Sequence, residues 1–225
     1  MLRLIEEEKV FDPALNLARD AAYWRETKGN LARVWRNDRS VVLGRFLKPE
    51  DEVHLHKAEE MGIPVLKRAS GGGAVYQDLG NLNYSFYLDS GDLSTSSIGD
   101  SLKALSYPVT ALLDSLGLPW EWVPPNNVYV EGRKISGSAQ ARRRGRILHH
   151  GTLLVDCDLE TMRALLKPGG RSRMAPVINL AEVVPGIEVE RVERMLTQAL
   201  PQETGGQPSI FHIGGQASTS GPSFL

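Results

Sequence analysis

Apolar residues recur along the chain with two spacings, one typical of amphipathic helices and one typical of half-buried strands. Asp12 and Pro13 are a typical helix start, because aspartate accepts backbone amide hydrogens as N-cap and proline suits the first helical position. An apolar stripe then continues to Lys28 and Gly29, which predicts the first helix. The same criteria predict further helices over residues 50–61, 98–116, 158–166 and 188–200.

Short runs rich in β-branched and aromatic residues lie between these helices and predict strands. Two such runs, residues 31–35 and 40–44, are separated by four polar residues and predict a hairpin. Runs over 128–130, 134–141 and 146–156 predict two consecutive hairpins. Because these hairpins do not fit a purely parallel sheet, we expect an α+β fold with a mixed, mainly antiparallel sheet flanked by helices. Further strands are predicted over residues 63–66 and 83–89.

Composition and charge limit the classes of function. The net charge of −1 gives no overall field that would attract nucleic acid or an anionic membrane, and no run of about 18 apolar residues predicts a membrane span. The N-terminal segment is acidic and has no apolar core of the kind found in signal peptides. The single cysteine, Cys157, excludes an internal disulfide framework. We therefore expect a cytoplasmic protein without nucleic-acid or membrane partners.

Domain organisation follows from length and from a change in composition near the C-terminal end. A chain of 225 residues predicts one large domain, or one with a small extension. From residue 201 onward Gly, Ser and Pro dominate and no periodicity remains. We expect one domain over residues 1–200 and a flexible tail over residues 201–225.

Three consecutive glycines follow Arg68, at residues 71–73. Such a run is favoured where φ is positive or where another group must approach the main chain closely. Successive backbone N–H groups can bind a carboxylate or a phosphate, and Arg68 can add a planar, bidentate cation. On its own the run is explained equally well by a flexible loop or a bulged turn. It does not match the P-loop or the dinucleotide-binding motif.

Lys134 begins a predicted strand and is followed by small residues that would let a ligand lie against the backbone. An ammonium group there can neutralise an acyl oxygen and an α-phosphate oxygen as they come together. A solvated hairpin lysine is the commoner alternative. His149 and His150 are adjacent on one predicted strand, so their side chains face opposite sides and cannot bind one metal together.

Three ordered blocks of sequence resemble the lipoate–protein ligase family. Residues 68–85 match its glycine-rich signature, and residues 134–139 and 150–154 match its second and third blocks. The resemblance covers about residues 1–200 and implies the fold shared by biotin and lipoate ligases and class II aminoacyl-tRNA synthetases. It also implies a two-step reaction, in which ATP with Mg²⁺ activates lipoate or octanoate as acyl-AMP before transfer to a lysine. The implied acceptors are lipoyl domains, of the 2-oxoacid dehydrogenase E2 or glycine-cleavage H type.

The resemblance also implies roles for individual residues. Lys134 would be catalytic and would contact both substrates. The implied nucleotide contacts are Arg68, Gly73, Ala74, Val75, Tyr76 and Lys134. The implied lipoate contacts are Gly71, Gly72, Lys134, His150, Gly151 and Thr152. Val75 and Tyr76 are expected to form walls of the acyl tunnel together with two leucines, for which ordinary core packing is the alternative: Leu153 and Leu154.

The chain departs from the family pattern at several points. Asn127 stands where many relatives have an aspartate, which leaves the metal ligands open because Mg²⁺ prefers charged oxygen ligands. Gln77 stands where a histidine is common, and residues 46–48 replace a more polar stretch. The chain is also expected to resemble short forms without the C-terminal accessory domain. We therefore hypothesise that activation requires a separate small accessory subunit.

Alternative functions remain open at this stage. An octanoyltransferase of the same fold would need an activated cysteine, for which Cys157 is the only candidate, and an inert buried thiol is at least as good an explanation. A biotin ligase matches the blocks less well. A non-catalytic binding homologue is suggested by Asn127. The basic turn, residues 142–146, is either a solvated hairpin tip or a docking point for an acidic lipoyl domain.

Overall fold

Two β-sheets organise the chain, for which the computed structural model describes residues 2–93, 97–168 and 175–200. The strands in chain order are β1 (Leu2–Leu4), β2 (Asn30–Trp35), β3 (Ser40–Leu43), β4 (Val65–Lys67), β5 (Val75–Gln77), β6 (Asn81–Asp89), β7 (Glu121–Val123), β8 (Asn127–Val130), β9 (Arg133–Arg143) and β10 (Arg146–Leu154). The helices are α1 (Pro13–Glu26), α2 (Pro49–Glu52), α3 (Leu55–Glu60), α4 (Ile98–Ala104), α5 (Tyr107–Ser115), α6 (Leu159–Leu165), α7 (Leu180–Val183) and α8 (Val189–Ala199). The tail predicted over residues 201–225 lies outside the described residues. Within the described ranges, every helix is too short or too polar to cross a membrane.

Seven strands form the larger sheet, in the order β1-β2-β6-β10-β9-β8-β7. β1 and β2 are parallel, and every other neighbouring pair is antiparallel. β8, β9 and β10 follow one another as the two predicted hairpins, and β9 turns into β10 through Arg144 and Gly145, both with positive φ. The predicted α+β fold with a mainly antiparallel sheet is confirmed.

Three strands form the smaller sheet, in which β3 is parallel to β4 and antiparallel to β5. The hairpin predicted for residues 31–35 and 40–44 is wrong. β2 pairs with β6 in the larger sheet, whereas β3 pairs only within the smaller one. The polar residues between them carry the chain from one sheet to the other, and Arg36 and Asn37 are buried there. A polar segment that connects two sheets inside the protein therefore has the same sequence pattern as an exposed hairpin turn.

Strand β6 separates two environments, because all of its residues from 81 to 88 are buried. Side chains at alternate positions point to opposite faces of the sheet. One set belongs to the main apolar core with α5 and α8, and its members are Leu82, Tyr84, Phe86 and Leu88. The other set is polar and faces away from that core, and includes Asn81, Asn83 and Ser85. One face of the sheet thus builds the core, and the other face is available for a polar site.

Helix α1 begins as the sequence predicts. The Leu15 N–H donates to Asp12 Oδ1 at 2.7 Å, and Pro13 occupies the first turn. Its buried side is formed by residues four apart, Asn16, Asp20 and Trp24. Since residues at this spacing share one face of a helix, α1 turns two polar side chains toward the interior rather than toward water.

Two predicted helices are divided. Residues 50–61 form α2 and α3, because the backbone of Val53 and His54 pairs instead with the end of α6. Residues 98–116 form α4 and α5, which separate just before Pro108. Proline has no backbone N–H and therefore suits the first turn of a helix rather than its interior. Helical periodicity alone predicts neither break.

Gly44 follows β3 and lies directly against the glycine-rich loop. A Cβ added at Gly44 would lie 2.0 Å from the carbonyl oxygen of Gly72. The next residue, Arg45, donates its N–H to the carbonyl of Ser70 at 2.8 Å. The smaller sheet therefore fixes the glycine-rich loop through close backbone contacts that only a residue without a side chain permits.

We expect Gly44→Ala to destabilise the protein by about 1–3 kcal/mol, because the new methyl group must displace the loop backbone. The free energy of unfolding from denaturant titration measures this. Gly91→Ala is the matched control, since a Cβ there would meet nothing within 4 Å. Equal effects of the two substitutions would show that the loop is not held tightly at Gly44.

Candidate active site

A single row of residues crosses the larger sheet from β2 to β7. Residues directly opposite each other on neighbouring antiparallel strands share one face, and the strand pairing aligns Trp35, Asn83, Thr152, Gly137, Asn127 and Val123. At about 4.8 Å between strands, five steps make the row roughly 24 Å long. Every residue of the row lines the same cavity, whose volume is about 640 Å³. The row is the floor of the candidate site.

The glycine-rich loop and β5 line the same cavity and cover its middle. The residues that they contribute are Arg68, Gly72, Gly73, Ala74, Val75, Tyr76 and Gln77. A Cβ added at Gly72, where φ is +89°, would lie 3.7 Å from the Cβ of Ala139 on β9. The loop therefore reaches across to the strand that carries Lys134, and both line one cavity.

Most of the residues assigned from the sequence line this cavity. On β10 they are His150, Gly151, Thr152 and Leu154. Leu153 lies in the apolar core on the opposite face, so the wall predicted at Leu153 is wrong. Gly71 is not part of the cavity lining, and its contribution to a lipoate site stays a prediction.

Arg68 holds the glycine-rich loop in its conformation. Its guanidinium nitrogens donate to three carbonyl oxygens at 3.2, 2.6 and 2.8 Å, those of Val42, Gly71 and Gly73. Nε donates to Ser70 Oγ at 3.0 Å. Burial lowers the pKa of Arg68 to about 10, and the charge of Asp20 opposes part of that effect. Arg68 is thus a cation at neutral pH whose hydrogen bonds shape the loop that follows it in the sequence.

Lys134 is held at the edge of the cavity floor by its backbone. Its N–H donates to the Pro176 carbonyl at 2.7 Å, and its carbonyl accepts from Ile178 at 3.0 Å. A Cβ added at Gly137 would lie 2.7 Å from Lys134 Nζ and 3.3 Å from Asn127 Oδ1, so the ammonium lies over the glycine. Burial lowers the pKa of Lys134, and the charge of Arg68 lowers it further. Two cations therefore act on one cavity.

A buried hydrogen-bond network supports the loop from α1 and β10. His150 Nε2 lies 2.6 Å from Ser70 Oγ, and Nδ1 lies 2.8 Å from Asp20 Oδ2. Asp20 also accepts hydrogen bonds from two hydroxyl groups, those of Ser85 and Tyr87. Burial raises the pKa of Asp20, but the charge of His150 and these hydrogen bonds outweigh burial and leave the pKa below its ordinary value.

This network has the residue types of a hydrolytic triad but a different role. Ser70 is fully buried, and its oxygen already contacts Arg68 and His150. We therefore interpret the network as support for the loop rather than as a nucleophile with its base. Neither Asp20 nor Ser70 is assigned a role by the sequence motifs. The spacing of Asp20 on the same face of α1 as Trp24 is the signal that could have indicated its burial.

A metal centre built from several protein ligands is not found in the described ranges, where no group of three or more His, Cys, Asp and Glu residues is placed to hold an ion. Asn127 lines the cavity beside Lys134 and presents an amide oxygen there. A single neutral oxygen is a weak anchor for Mg²⁺, which is typically bound by one or two carboxylates together with phosphates.

Cys157 does not have the surroundings of a nucleophile. It is buried in the second apolar core, with Leu154 and Met162 among its members, and it does not line the cavity. Burial raises the pKa of the Cys157 thiol, and the nearby Asp78 carboxylate raises it further. Since the thiolate is the reactive form, this cysteine is suited to packing.

The two neighbouring histidines face opposite sides of β10, as predicted. His149 lies on the core side with its ring centroid 5.8 Å from Tyr84 and 6.1 Å from Phe86. Burial lowers the pKa of His149 to about 3, and the charge of His150 adds to this effect. His149 is therefore neutral and part of the core, whereas His150 belongs to the site.

The basic turn between β9 and β10 divides into anchored and exposed arginines. Arg146 pairs with Asp89 at 2.6 Å, and Arg142 donates to Ser101 Oγ at 2.6 Å. Arg143 and Arg144 are exposed at the tip. The turn is a solvated hairpin tip with two outward cations.

Comparison with known proteins identifies the family. The model of the lipoyl protein ligase A/B catalytic domain matches residues 12–201, which is most of the chain. The protein belongs to this family.

The proteins to which this chain is similar are lipoate-protein ligases. Lipoate-protein ligase LplJ of Bacillus subtilis (strain 168) is 37% identical over 168 residues, which are 72% of this chain and 49% of LplJ. The chain thus spans about half the length of that relative. A structure of a bi-partite lipoate protein ligase and its E2 lipoyl domain from Thermoplasma acidophilum is 31% identical with a TM-score of 0.76, covering 88% of this chain and 81% of that one. A lipoate-protein ligase A bound with ATP is 33% identical with a TM-score of 0.76, covering 88% and 83%.

We expect Asp20→Asn to lower the free energy of unfolding by about 3 kcal/mol at pH 7, because a buried network that includes Ser85, Tyr87 and His150 loses its carboxylate acceptor. The pKa of Asp20 is lower in the folded than in the unfolded chain, where it is near 3.8. The stabilisation is therefore fully present above that value and is lost as the pH falls through the folded-state pKa.

Denaturant titrations from pH 7 down to pH 3 measure this difference between wild type and variant. Asp51→Asn, on the exposed side of α2, is the control and is expected to change stability little at any pH. A wild-type advantage that stays constant over the whole range would contradict an ionic role for Asp20.

Proposed function

We propose that this chain activates lipoate with ATP as lipoyl-AMP and transfers the lipoyl group to a lysine of an acceptor lipoyl domain. The observation that carries the proposal is the joint position of Arg68, Lys134 and the glycine-rich loop around one elongated cavity. Membership of the ligase family and the similarity to a ligase bound with ATP support it. Octanoate is a second acyl substrate that the same chemistry accommodates.

The two ends of the cavity differ in exposure, which supports placing the nucleotide at one end and the acyl chain at the other. At the β7–β8 end Pro124 and Pro125 are exposed and Asn127 is partly exposed. At the β2–β6 end Trp35 and Asn83 are buried. A charged nucleotide, whose pyrophosphate must leave, suits the open end, and an apolar acyl chain suits the closed end. The two substrates then meet near Lys134, in the middle of the row.

The chemistry needs positioning and charge rather than a nucleophile of the protein. A lipoate carboxylate oxygen attacks the α-phosphorus of ATP, and pyrophosphate leaves. The ε-amine of the acceptor lysine then attacks the carbonyl carbon of lipoyl-AMP, loses a proton, and AMP leaves. Lys134, with Arg68 as the second cation of the site, stabilises the negative charge on the oxygens that come together in the first step.

Mg²⁺ fits the described residues poorly as a protein-bound ion, because Asn127 offers an amide oxygen in place of a carboxylate. We propose that Mg²⁺ accompanies the nucleotide through its phosphates. The nucleotide contacts proposed for Gly73, Ala74, Val75 and Tyr76 rest on their position in the cavity lining beside Arg68.

The similar Thermoplasma acidophilum protein is a bi-partite ligase whose structure is described together with its E2 lipoyl domain. This similarity suggests the partners of the present chain. We propose that this chain also modifies a lipoyl domain and works with a separately encoded small subunit. The octanoyltransferase alternative is not supported, because Cys157 is packed in a core and does not line the cavity.

The decisive experiment is mass spectrometry of a purified lipoyl domain after incubation with this chain, ATP, Mg²⁺ and lipoate, with and without the candidate small subunit. We expect a mass increase of one lipoyl group that depends on ATP. A parallel reaction offers octanoyl carrier protein without ATP. Acyl transfer in that reaction alone would establish a transferase, and no product in either reaction would indicate a non-catalytic homologue.

We expect Lys134→Gln to lower kcat/KM for lipoyl-AMP formation by roughly 10²–10³, because a fixed charge on the reacting oxygens is lost. In the wild type kcat/KM should fall at alkaline pH with a midpoint below the ordinary lysine value of 10.5, since the pKa of Lys134 is lowered and only its cation is useful. Lys134→Arg should retain part of the activity and move this alkaline decline to higher pH, because a guanidinium at this position loses its proton at higher pH than an amine.

Pyrophosphate release measured from pH 6 to pH 11 provides these profiles. Lys103→Gln, an exposed lysine of α4, is the control for loss of a lysine elsewhere. An alkaline decline that persists unchanged in Lys134→Arg would assign it to another group.

We expect the double change Arg143→Glu and Arg144→Glu to slow modification of an acidic lipoyl domain on the order of tenfold at low salt. Lipoyl-AMP formation should be unchanged, because both arginines lie at the exposed tip of the turn. The matched control is Arg191→Glu with Arg194→Glu on α8. This helix packs on the core face of the larger sheet, away from the candidate site. Equal losses in both steps, or in both double variants, would argue against docking at this turn.

A further inference from the structure

The closed end of the cavity is more polar than an acyl chain requires. Asn81 and Asn83 line it from β6 and are 0% and 2% exposed. Gln77 lines it from β5. Pockets for apolar chains are usually lined by hydrophobic side chains with few polar groups. Three buried amides beside Trp35 therefore suggest that the ligand has a polar or hydrogen-bonding group at this end.

The orientation of these amides is fixed by a chain of hydrogen bonds that begins at the backbone. Asn16 Nδ2 donates to the carbonyl oxygens of Val10 and Arg36, at 2.8 and 2.9 Å. Carbonyl oxygens only accept, so this nitrogen cannot be exchanged with Oδ1. Asn16 Nδ2 also donates to Asn37 Oδ1 at 3.0 Å, and Asn37 Nδ2 therefore donates onward to Gln77 Oε1 at 2.6 Å.

The same polarity continues into the cavity wall. Gln77 Nε2 donates to Asn83 Oδ1 at 2.7 Å, and Asn81 Nδ2 donates to the same oxygen at 3.3 Å. As a result, Asn83 Nδ2 is a donor and Asn81 Oδ1 is an acceptor, and both are buried without a hydrogen-bond partner among the described residues. Buried polar groups in this state are costly, and they usually indicate a missing partner.

The position of Asn83 matches the far end of an activated acyl chain. Asn83, Thr152 and Gly137 are successive members of the floor row, and Lys134 Nζ lies over Gly137. Two strand spacings place Asn83 about 10 Å from the reacting centre, toward the closed end. A chain with its carboxylate at Lys134 would thus bring its distal end to the unpaired amide atoms.

We propose that Asn83, with Asn81, recognises the sulfur atoms at the distal end of the acyl substrate and thereby selects lipoate over sulfur-free chains of the same shape. This inference rests on the proposed function. A dithiolane sulfur is a weak acceptor for Asn83 Nδ2, and the thiols of the reduced form can also donate to Asn81 Oδ1. A hydrocarbon end displaces water from both atoms and satisfies neither, which disfavours its binding.

The test compares lipoate with 5-cyclopentylpentanoate, in which a carbon ring replaces the dithiolane at nearly the same size. Calorimetry on the wild-type chain with a non-hydrolysable ATP analogue measures both dissociation constants. We expect lipoate and dihydrolipoate to bind more tightly than the cyclopentyl acid, on the order of tenfold. Equal affinities would overturn the inference while leaving the proposed function intact. If none of the acids binds, either to the chain alone or with the candidate small subunit present, the proposed function itself fails.

A variant tests whether Asn83 is the source of this selectivity. In Asn83→Leu we expect the ratio of the two dissociation constants to approach one, mainly because the cyclopentyl acid binds more tightly. Asn126→Leu removes an amide that lines the same cavity at its open end and should leave the ratio as in the wild type. A wild-type ratio in Asn83→Leu would contradict the assignment. If Asn83→Leu does not fold, the wild-type comparison still decides.

Discussion

The buried hydrogen bond between Asp20 and His150 is the interaction on which the candidate site depends. It joins α1 to β10 inside the protein. The other ring nitrogen of His150 is hydrogen-bonded to Ser70 in the glycine-rich loop. Ser70 in turn accepts from Arg68, whose remaining bonds hold the loop carbonyls. Removing one member of such a buried network leaves its partners without their hydrogen bonds, which is costly. The loop conformation is therefore coupled to elements remote in sequence.

A second feature is the concentration of positive charge in the candidate site. Burial lowers the pKa of both Arg68 and Lys134, and the charge of Arg68 lowers the pKa of Lys134 further where both line one cavity. A carboxylate and a phosphate entering this cavity would relieve that repulsion. The fold therefore holds positive charge in the cavity independently of ligand binding, as expected for a site that stabilises anions by preorganised electrostatics.

Local signals in the sequence predicted the elements that depend on neighbouring residues, such as the start of α1 at Asp12 and the hairpins of β8, β9 and β10. Pairing between distant segments was not predictable in this way, and for that reason β2 and β3 were wrongly joined. The residues around Lys134 could be named because a family motif contains them. The family's glycine-rich signature also contains Asn81 and Asn83, but their hydrogen-bonded burial could not be predicted, since an asparagine has the same sequence pattern whether it is solvated or buried in the interior.

The floor row across the larger sheet has a consequence for how such a pocket can change. Each strand contributes one residue to it, so Trp35 and Thr152, for example, belong to different strands and to separate stretches of sequence. Replacing one of them alters the pocket at one depth only and leaves the rest of the groove and the backbone pairing as they were. A fold of this kind can adjust the length and chemistry of its substrate channel in independent increments, while the catalytic centre stays where it is.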